Sequence, residues 1–338
     1  MEAIYRDFAP LGVQFHFVYK ALAHPEMNGY VNPVTVEERL LHIAEAKRVY
    51  EGVTMPWLCD NIKNELKKQL GGMNNPEFVF DPEGKIVRMR DWCSPATLRK
   101  DLETLTGKTP GPTSVKDLNL KVNNKSKEIA ATGVVPALKI PGQMSPIKST
   151  ASEDSESPFY AKVRPEADSE LLRNGSGKLY LGIRLDPLLG VCWNNLAEPV
   201  KYELTGADGI MIEPGTGTGP KVEVESDSDP REFLIDIKDW KEGETLKLSL
   251  SYFACHKEEG WCKAVTQSYE LQLERDRDAG SVRSRNGGGR GGRGGRGGGA
   301  GRGGRGGRGG RGGPGGRGQG GGGRGPRGGG QRPVRPGN

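Results

Sequence analysis

Residues 245–273 read TLKLSLSYFACHKEEGWCKAVTQSYELQL and contain two runs in which apolar and polar residues alternate. An apolar residue at every second position is typical of a strand with one buried face. The runs cover 246–254 and 261–273 and are joined by HKEEG, a segment of turn-like and charged character. The stretch therefore predicts an antiparallel hairpin that brings Cys255 and Cys262 to facing ends.

The same alternation recurs throughout residues 158–277, which we expect to form one domain. Segments rich in Gly, Pro and Asp, such as PGTGTGP and SDSDPRE, separate the alternating runs. Many short strands punctuated by turns are typical of an antiparallel sandwich. The residues predicted to face its core include Leu179, Leu181, Ile183 and Leu185, Val222 and Val224, and Phe233, Ile235 and Ile237.

Residues 1–107 have a different pattern, in which apolar residues are spaced alternately as in helices and as in strands. EFVFDPEGKIVRMRDW predicts two strands joined by the turn DPEG, and SPATLRKDLETLTG predicts a helix with Ser94 at its cap and Pro95 at its first position. This order predicts an α/β layer with a mixed sheet. Residues 108–157, rich in Pro, Lys, Ser and Gly without a sustained period, predict a flexible linker.

Residues 278–338 are predicted to be a disordered tail of Gly and Arg. From residue 283 onward the chain has fourteen Arg and no acidic residue, which leaves a net charge of −8 on what precedes because the whole chain carries +6. Arg at every third position offers bidentate donors to phosphates, so the tail is expected to bind RNA or another polyanion without sequence specificity. The alternative is a solvated tail that adheres to acidic surfaces. The arginines of the repeats are Arg290, Arg293, Arg296, Arg302, Arg305, Arg308 and Arg311.

The five cysteines exclude two common classes of site. No CxxC or Cys/His spacing indicates a metal, and five cysteines do not make a disulfide-dense secreted scaffold, so we expect no cofactor. Cys59, Cys93 and Cys192 are expected to be packed, although a helix dipole would act on Cys93. The sequence contains no apolar run long enough to span a membrane and no secretory signal.

The N-terminal part resembles the thioredoxin fold, within it the iodothyronine deiodinase-like branch. The resemblance rests on VQFHFVYKALAHPEMNGY, on VEERL and on NPEFVFDPEGKIV. It implies that Pro76 is a cis-proline before a strand and that His24 matches the histidine of the family motif. The family's first strand and its nucleophilic cysteine or selenocysteine have no counterpart in this chain, so deiodinase-type reductive chemistry would require an upstream nucleophile.

The domain at 158–277 resembles the N-terminal, immunoglobulin-like domain of the bacterial thiol:disulfide interchange protein DsbD. The resemblance rests on KLYLGIRLDPLLGVCWNNLAEPVKYEL and on LSLSYFACHKEEGWCKAVTQSYELQLERD. It implies a redox-active pair at Cys255 and Cys262 and a thioredoxin-like partner protein. It also implies the periplasm, whereas the chain as given predicts the cytoplasm, and the compartment stays open.

The residues alone leave the role of the cysteine pair open between a structural staple and an exchange site. Opposed residues of a hairpin are close enough for a disulfide, but the short loop adds only about 2 to 3 kcal/mol of stability. His256 and Lys257, next to Cys255, would favour its thiolate, and Glu258 and Glu259 would oppose it. With the resemblance added, the leading hypothesis is a thiol-disulfide redox protein, and the rival is a non-enzymatic polyanion-binding protein.

Overall fold

The structure is a computed structural model that describes residues 1–280 apart from residue 23 and the segments 125–132 and 156–157. The chain divides into two units, Met1–Gly288 and Gly289–Asn338. The second unit, which contains the arginines predicted to bind polyanions, lies outside the described residues. The described part of the first unit has mixed α/β content with one large β-sheet.

The N-terminal part alternates short helices and strands, as its apolar spacing predicts. Its elements are α1 (Glu2–Phe8), β1 (Phe17–Tyr19), α2 (Val36–Val49), β2 (Tyr50–Glu51), β3 (Trp57–Cys59), α3 (Glu65–Gln69), β4 (Glu77–Phe80), β5 (Ile86–Arg90), α4 (Pro95–Thr106) and β6 (Lys121–Val122). Helix α2 begins where Thr35 Oγ1 accepts a hydrogen bond from Glu38 N at 3.2 Å, which satisfies one free N–H of its first turn. Helix α4 begins with Pro95, at a position where no N–H is needed.

The described strands of this part form separate pairs rather than the single mixed sheet that the sequence predicts. β1 lies parallel to β3, and β4 lies antiparallel to β5. At the DPEG turn, Asp81 Oδ1 accepts a hydrogen bond from Lys85 N at 2.7 Å. Side chains from α1, α4 and the segments before β1 and β3 hold the part together in one apolar core: Ile4, Phe8, Phe15, Met55, Leu98 and Leu102.

The large sheet has 11 strands in the described part of the chain. They are β7 (Ser145–Ala151), β8 (Ala161–Ala167), β9 (Gly177–Leu185), β10 (Val191–Asn194), β11 (Lys201–Thr205), β12 (Met211–Glu213), β13 (Thr216–Thr218), β14 (Ser226–Asp227), β15 (Arg231–Lys238), β16 (Thr245–His256) and β17 (Trp261–Arg275); a short helix, α5 (Leu171–Asn174), lies between β8 and β9. Their order is β12-β15-β9-β8-β7-β17-β16-β10-β14, with β11 between β16 and β13. Every pairing in this sheet is antiparallel.

Strand β7 joins the two halves of the sheet. Its first residues, Ser145 and Pro146, pair with β8, and its remaining residues pair with β17. Alternate side chains of β9 and β15 on one half, and of β16 and β17 on the other, pack into one common core. The hydrophobic alternation therefore predicts correctly which face of these strands is buried.

Two stretches differ from the sequence-based expectation. The segment 108–157, for which the composition predicts a linker, contains β6, which pairs with β2, and β7, which belongs to the large sheet. The predicted strand at Val222 and Val224 is absent, because the chain there bonds to a loop: Val224 O accepts a hydrogen bond from Asn195 Nδ2 at 2.9 Å. The strand forms just after it, as β14.

The N-terminal part is fastened to the large sheet by ionic contacts. Arg164 on β8 pairs with Glu26 at 2.9 Å and donates to the carbonyl oxygens of Ala279 and Gly280. Asp278, just beyond β17, accepts a hydrogen bond from Asn64 Nδ2 at 2.9 Å and pairs with Lys67. The segment that follows the hairpin is thus anchored on both parts.

Candidate functional site

Cys255 and Cys262 form a disulfide at the tip of the hairpin. They are directly opposed in the pairing of β16 with β17, with Cα atoms 4.1 Å apart and a sequence separation of 7. This spacing belongs to the closer of the two kinds of opposed pair in an antiparallel ladder. The hairpin register that the alternation predicts thus places the two sulfurs together.

The disulfide lies on the outer face of the sheet. Along β16 the even-numbered residues Leu246 to Ala254 are buried, and the intervening odd-numbered residues are partly or fully exposed. Cys255 belongs to the odd-numbered set but is only 8% exposed, whereas Cys262 is exposed. One sulfur-bearing residue is therefore open to a partner and the other is shielded.

The turn between the two strands is well connected. Gly260 N donates to His256 O at 2.9 Å, and Trp261 Nε1 donates to Glu259 Oε2 at 2.6 Å. The Trp261 ring stacks on the His256 ring, with centroids 5.7 Å apart, and its centroid lies 5.4 Å from that of Tyr160. These ring contacts fix the hairpin tip against the residue just before β8.

His256 does not act on the disulfide in the way its position in the sequence suggests. Neighbouring residues of a strand project to opposite faces, so the imidazole lies with Trp261 on the face away from the sulfurs. Its Nδ1 accepts a hydrogen bond from Glu259 N at 3.1 Å, which holds the ring to the turn. His256 therefore orders the turn from the face opposite the disulfide.

Of the remaining cysteines, Cys59 and Cys93 are not activated as nucleophiles. Burial raises the pKa of both thiols, that of Cys93 to about 11, where a hydrogen bond to Glu77 at 3.3 Å adds to the effect. A raised pKa lowers the thiolate fraction at neutral pH. The dipole of helix α4, which follows Cys93, is thus too weak to offset the rise in the pKa of this thiol that burial and Glu77 cause.

Cys192 lies closer to the disulfide than its sequence position indicates. Strand β10 pairs with β16 so that Cys192 is opposite Cys255. The thiol is half-buried and donates to the Cys255 carbonyl oxygen at 3.4 Å. The pairing of these two strands is not visible in the sequence, and the only available signal was the alternation of Cys192 with the apolar Val191 and Trp193.

The residues carried over from the thioredoxin-fold resemblance lie far along the chain from this disulfide. His24 is exposed and has a left-handed backbone, φ 52°, at the start of the short turn Pro25–Asn28. Pro76 precedes β4, and the peptide bond before it is trans. The cis peptide bond found in the described residues is the one before Pro214. The expected cis bond is thus wrong: Asn75 bridges to Trp92 in an extended conformation, which a trans bond allows.

Metal ligation and membrane insertion find no support in the described residues. They contain no group of three or more His, Cys, Asp or Glu side chains arranged to hold a metal ion. None of their helices combines the length and the apolar character that crossing a bilayer requires. No family model, curated protein or solved structure matches this chain significantly.

Proposed function

We propose that this chain is a thiol-disulfide redox protein that exchanges electrons with a dithiol partner through Cys255 and Cys262. The single observation that carries the proposal is the unequal exposure of the two cysteines on the outer face of the hairpin. Exchange starts when a thiolate reaches one sulfur of a disulfide, and only an accessible sulfur qualifies. A purely structural disulfide does not require an accessible sulfur.

In the proposed reaction, a thiolate of the partner attacks Cys262 Sγ. The Cys255–Cys262 bond breaks, Cys255 leaves as a thiolate, and Cys262 becomes joined to the partner in a mixed disulfide. The second partner thiol, as its thiolate, then attacks the partner's own sulfur in that mixed disulfide and releases Cys262. Two electrons pass from the partner dithiol to this chain, and the two cysteines take up the protons that the partner loses. The reverse sequence reduces a disulfide in the partner.

Support for a thioredoxin-like partner comes from the open surroundings of the hairpin tip. Lys257, Glu258, Glu259 and Gly260 are all exposed, so no bulky apolar side chain of the turn blocks the approach to Cys262. Thioredoxin-type proteins present a dithiol of low pKa at a helix N-terminus, which suits attack on an exposed hairpin disulfide. We propose that the large sheet is the immunoglobulin-like scaffold of this site.

The test is the reduction of the full-length oxidised chain by reduced thioredoxin. Oxidised chain has three free thiols and fully reduced chain has five, so thiol counting by mass after alkylation reports the reaction directly. We expect two new thiols, at Cys255 and Cys262, with none in Cys255→Ser. Cys59→Ser is the matched control and should gain two thiols as the wild type does. Failure of thioredoxin to reduce native chain that dithiothreitol reduces once unfolded would contradict the proposal.

A second candidate function is polyanion binding by the tail, which the regular Arg spacing of the sequence favours. Arg290 to Arg311 supply a positive charge at nearly every third residue without an intervening acid. Binding of this kind weakens steeply with salt because it releases counterions. We expect deletion of 287–338 to abolish retention on single-stranded RNA while leaving reduction by thioredoxin unchanged. Equal retention with and without the tail would contradict this function.

We also propose that residues 1–107 are a thioredoxin-like scaffold rather than a second reactive site. The parallel pair β1 and β3, and the hairpin β4–β5 followed by α4, support this proposal. Deiodinase-type chemistry needs a nucleophile of low pKa, and among the described residues of this part Cys59 and Cys93 have raised pKa values. That reaction is therefore proposed only for a form of the protein that carries an upstream nucleophile.

A further inference from the structure

Three cysteines lie in one row across three adjacent strands. Cys192 on β10 is opposite Cys255 on β16, and Cys255 is opposite Cys262 on β17. Opposed residues of an antiparallel sheet project from the same face, so the Cys192 thiol and the disulfide share the outer face. The free thiol and the sulfur of Cys262 lie on opposite sides of Cys255.

The strand register that places Cys192 beside Cys255 is held by the neighbours of Cys192. Trp193 Nε1 donates to Asp229 O at 2.7 Å, and the Trp193 ring packs against Tyr252, with centroids 5.7 Å apart. On the other side, Gly190 has a φ of +65° and approaches His256 so closely that an added Cβ would lie 2.8 Å from His256 Nε2. Both contacts tie β10 to β16 in the register that places Cys192 beside Cys255.

This row places the three cysteines in the order that thiol-disulfide exchange requires. Displacement at sulfur is in line, so the attacking and leaving sulfurs must lie on opposite sides of the attacked one. Opposed residues have Cβ atoms about 4.5 to 5.5 Å apart, and a disulfide requires about 3.5 to 4.5 Å. For the Cys192 sulfur to bond to Cys255 Sγ, its side chain has to rotate away from the Cys255 carbonyl oxygen, 3.4 Å away, and the two strands have to approach slightly.

We propose that Cys192 is the third cysteine of the exchange site and that it shifts the disulfide within the chain. The Cys192 thiolate attacks Cys255 Sγ, the Cys255–Cys262 bond breaks, and Cys262 leaves as a thiolate. The proton lost by Cys192 is balanced by the one that Cys262 takes up, and no electrons enter or leave. The product has a Cys192–Cys255 disulfide and a free thiol on the exposed Cys262.

This inference rests on the proposed function, because it requires Cys255 to be open to exchange, and it adds a regulation of that site. With the disulfide at Cys255–Cys262, the chain accepts a partner thiolate at Cys262. With the disulfide at Cys192–Cys255, Cys262 is itself the attacking thiol while the chain remains oxidised. The same site can therefore react with a partner thiol through its disulfide and with a partner disulfide through the Cys262 thiol.

The test is alkylation of the native, oxidised full-length chain with N-ethylmaleimide, followed by peptide mapping under non-reducing conditions. Alkylation removes free Cys262 irreversibly, so a minor isomer accumulates as labelled product. We expect chains that carry a Cys192–Cys255 linkage and a label on Cys262, with none in Cys192→Ser and the same yield in Cys59→Ser. Label on Cys192 without any label on Cys262 would overturn the inference.

A second variant keeps the test independent of the wild-type equilibrium. In Cys262→Ser, oxidised glutathione should convert Cys192 and Cys255 to a disulfide, detected as a loss of two hydrogens, whereas Cys192→Ser/Cys262→Ser should retain glutathione on Cys255. A stable glutathione adduct on Cys255 in the single variant would also overturn the inference. If thioredoxin reduces the chain but the disulfide does not shift, only this inference is contradicted. If thioredoxin does not reduce the chain, the proposed function is contradicted.

Discussion

Lys162 Nζ lies 2.6 Å from Glu38 Oε1, and both side chains are almost fully buried. Glu38 on α2 also accepts hydrogen bonds from Val34 N at 2.8 Å and from Phe159 N at 3.2 Å. Lys162 on β8 makes a second ion pair, with Asp186 at 3.2 Å. This group of charges joins the N-terminal part to the large sheet next to Tyr160, whose ring meets Trp261 at the hairpin tip.

Replacing Glu38 by Gln should destabilise the protein by about 3 kcal/mol, because removing one partner of a buried ion pair leaves the other charge poorly compensated. Asp186 still faces Lys162, so the loss should lie at the lower end of the usual range. Urea unfolding of the full-length chain measures it. Glu37→Gln, at the exposed neighbouring position of the same helix, is the control and should change stability little. Equal stability of the two variants would show that the ion pair contributes nothing.

His42 should make the protein less stable in mild acid. Burial lowers its pKa to about 4, while the Tyr19 hydroxyl and His42 Nδ1 are hydrogen-bonded at 2.9 Å. The surrounding charges are Asp186 and Glu45, which raise this pKa, and Lys162 and Arg39, which lower it. In the unfolded chain a histidine titrates near 6.5, so between about pH 6.5 and 4 the unfolded state binds the proton first.

The contribution of His42 to the free energy of unfolding is therefore fully present above about pH 6.5 and is lost as the pH falls toward 4. We expect it to amount to about 2 to 3 kcal/mol between pH 7 and pH 4.5. The measurement compares urea unfolding at both values for the wild type and His42→Gln, and the variant should lack this part of the decline. The exposed His16→Gln serves as the control. A decline in His42→Gln as steep as in the wild type would contradict the assignment.

Reduction of Cys255–Cys262 should leave the fold intact and lower its stability by only about 2 kcal/mol, because the closed loop is short. The common core of the large sheet contains neither cysteine. Circular dichroism of oxidised and reduced chain should coincide at 25 °C, and urea unfolding should give the difference. A reduced chain that is unfolded at that temperature would mark the disulfide as a staple.

Gly190→Ala should destabilise the chain more than Gly243→Ala does. Both glycines have positive φ, +65° and +86°, so both variants share a backbone penalty of about 1 kcal/mol. Only at Gly190 does the added Cβ meet an obstacle, and His256 cannot yield easily because Glu259 and Trp261 hold its ring. Gly190→Ala should also make the Cys192 thiol react faster with N-ethylmaleimide. Equal unfolding free energies for the two variants would contradict the close packing of β10 on β16.

The hairpin could be predicted from the sequence because its information is local: a period of two, a short turn and two cysteines at the facing ends. The position of Cys192 could not, since three residues of β10 pair with residues more than sixty positions away. The strand in SPIKSTA was missed because it has few apolar residues and takes its partners from both halves of the sheet.

The contacts between the two parts of the first unit were also outside the reach of sequence reasoning. Glu38 and Lys162 have the composition of surface residues, and burial of such residues depends on a partner 124 positions away. The strands at EFVF and IVRMR follow from the sequence, but the separation of the described N-terminal strands into pairs does not. Pairing between distant strands depends on side chains that a local pattern does not connect.

The most direct test of the central claim is the reduction potential of the Cys255–Cys262 couple in the full-length chain. Equilibration with defined ratios of reduced and oxidised dithiothreitol or glutathione, followed by acid quenching and mass analysis, gives the fraction oxidised. An exchange site should have a potential above about −300 mV, in the range of cellular dithiol carriers. A potential far below about −300 mV would contradict the proposed function and identify the bond as structural.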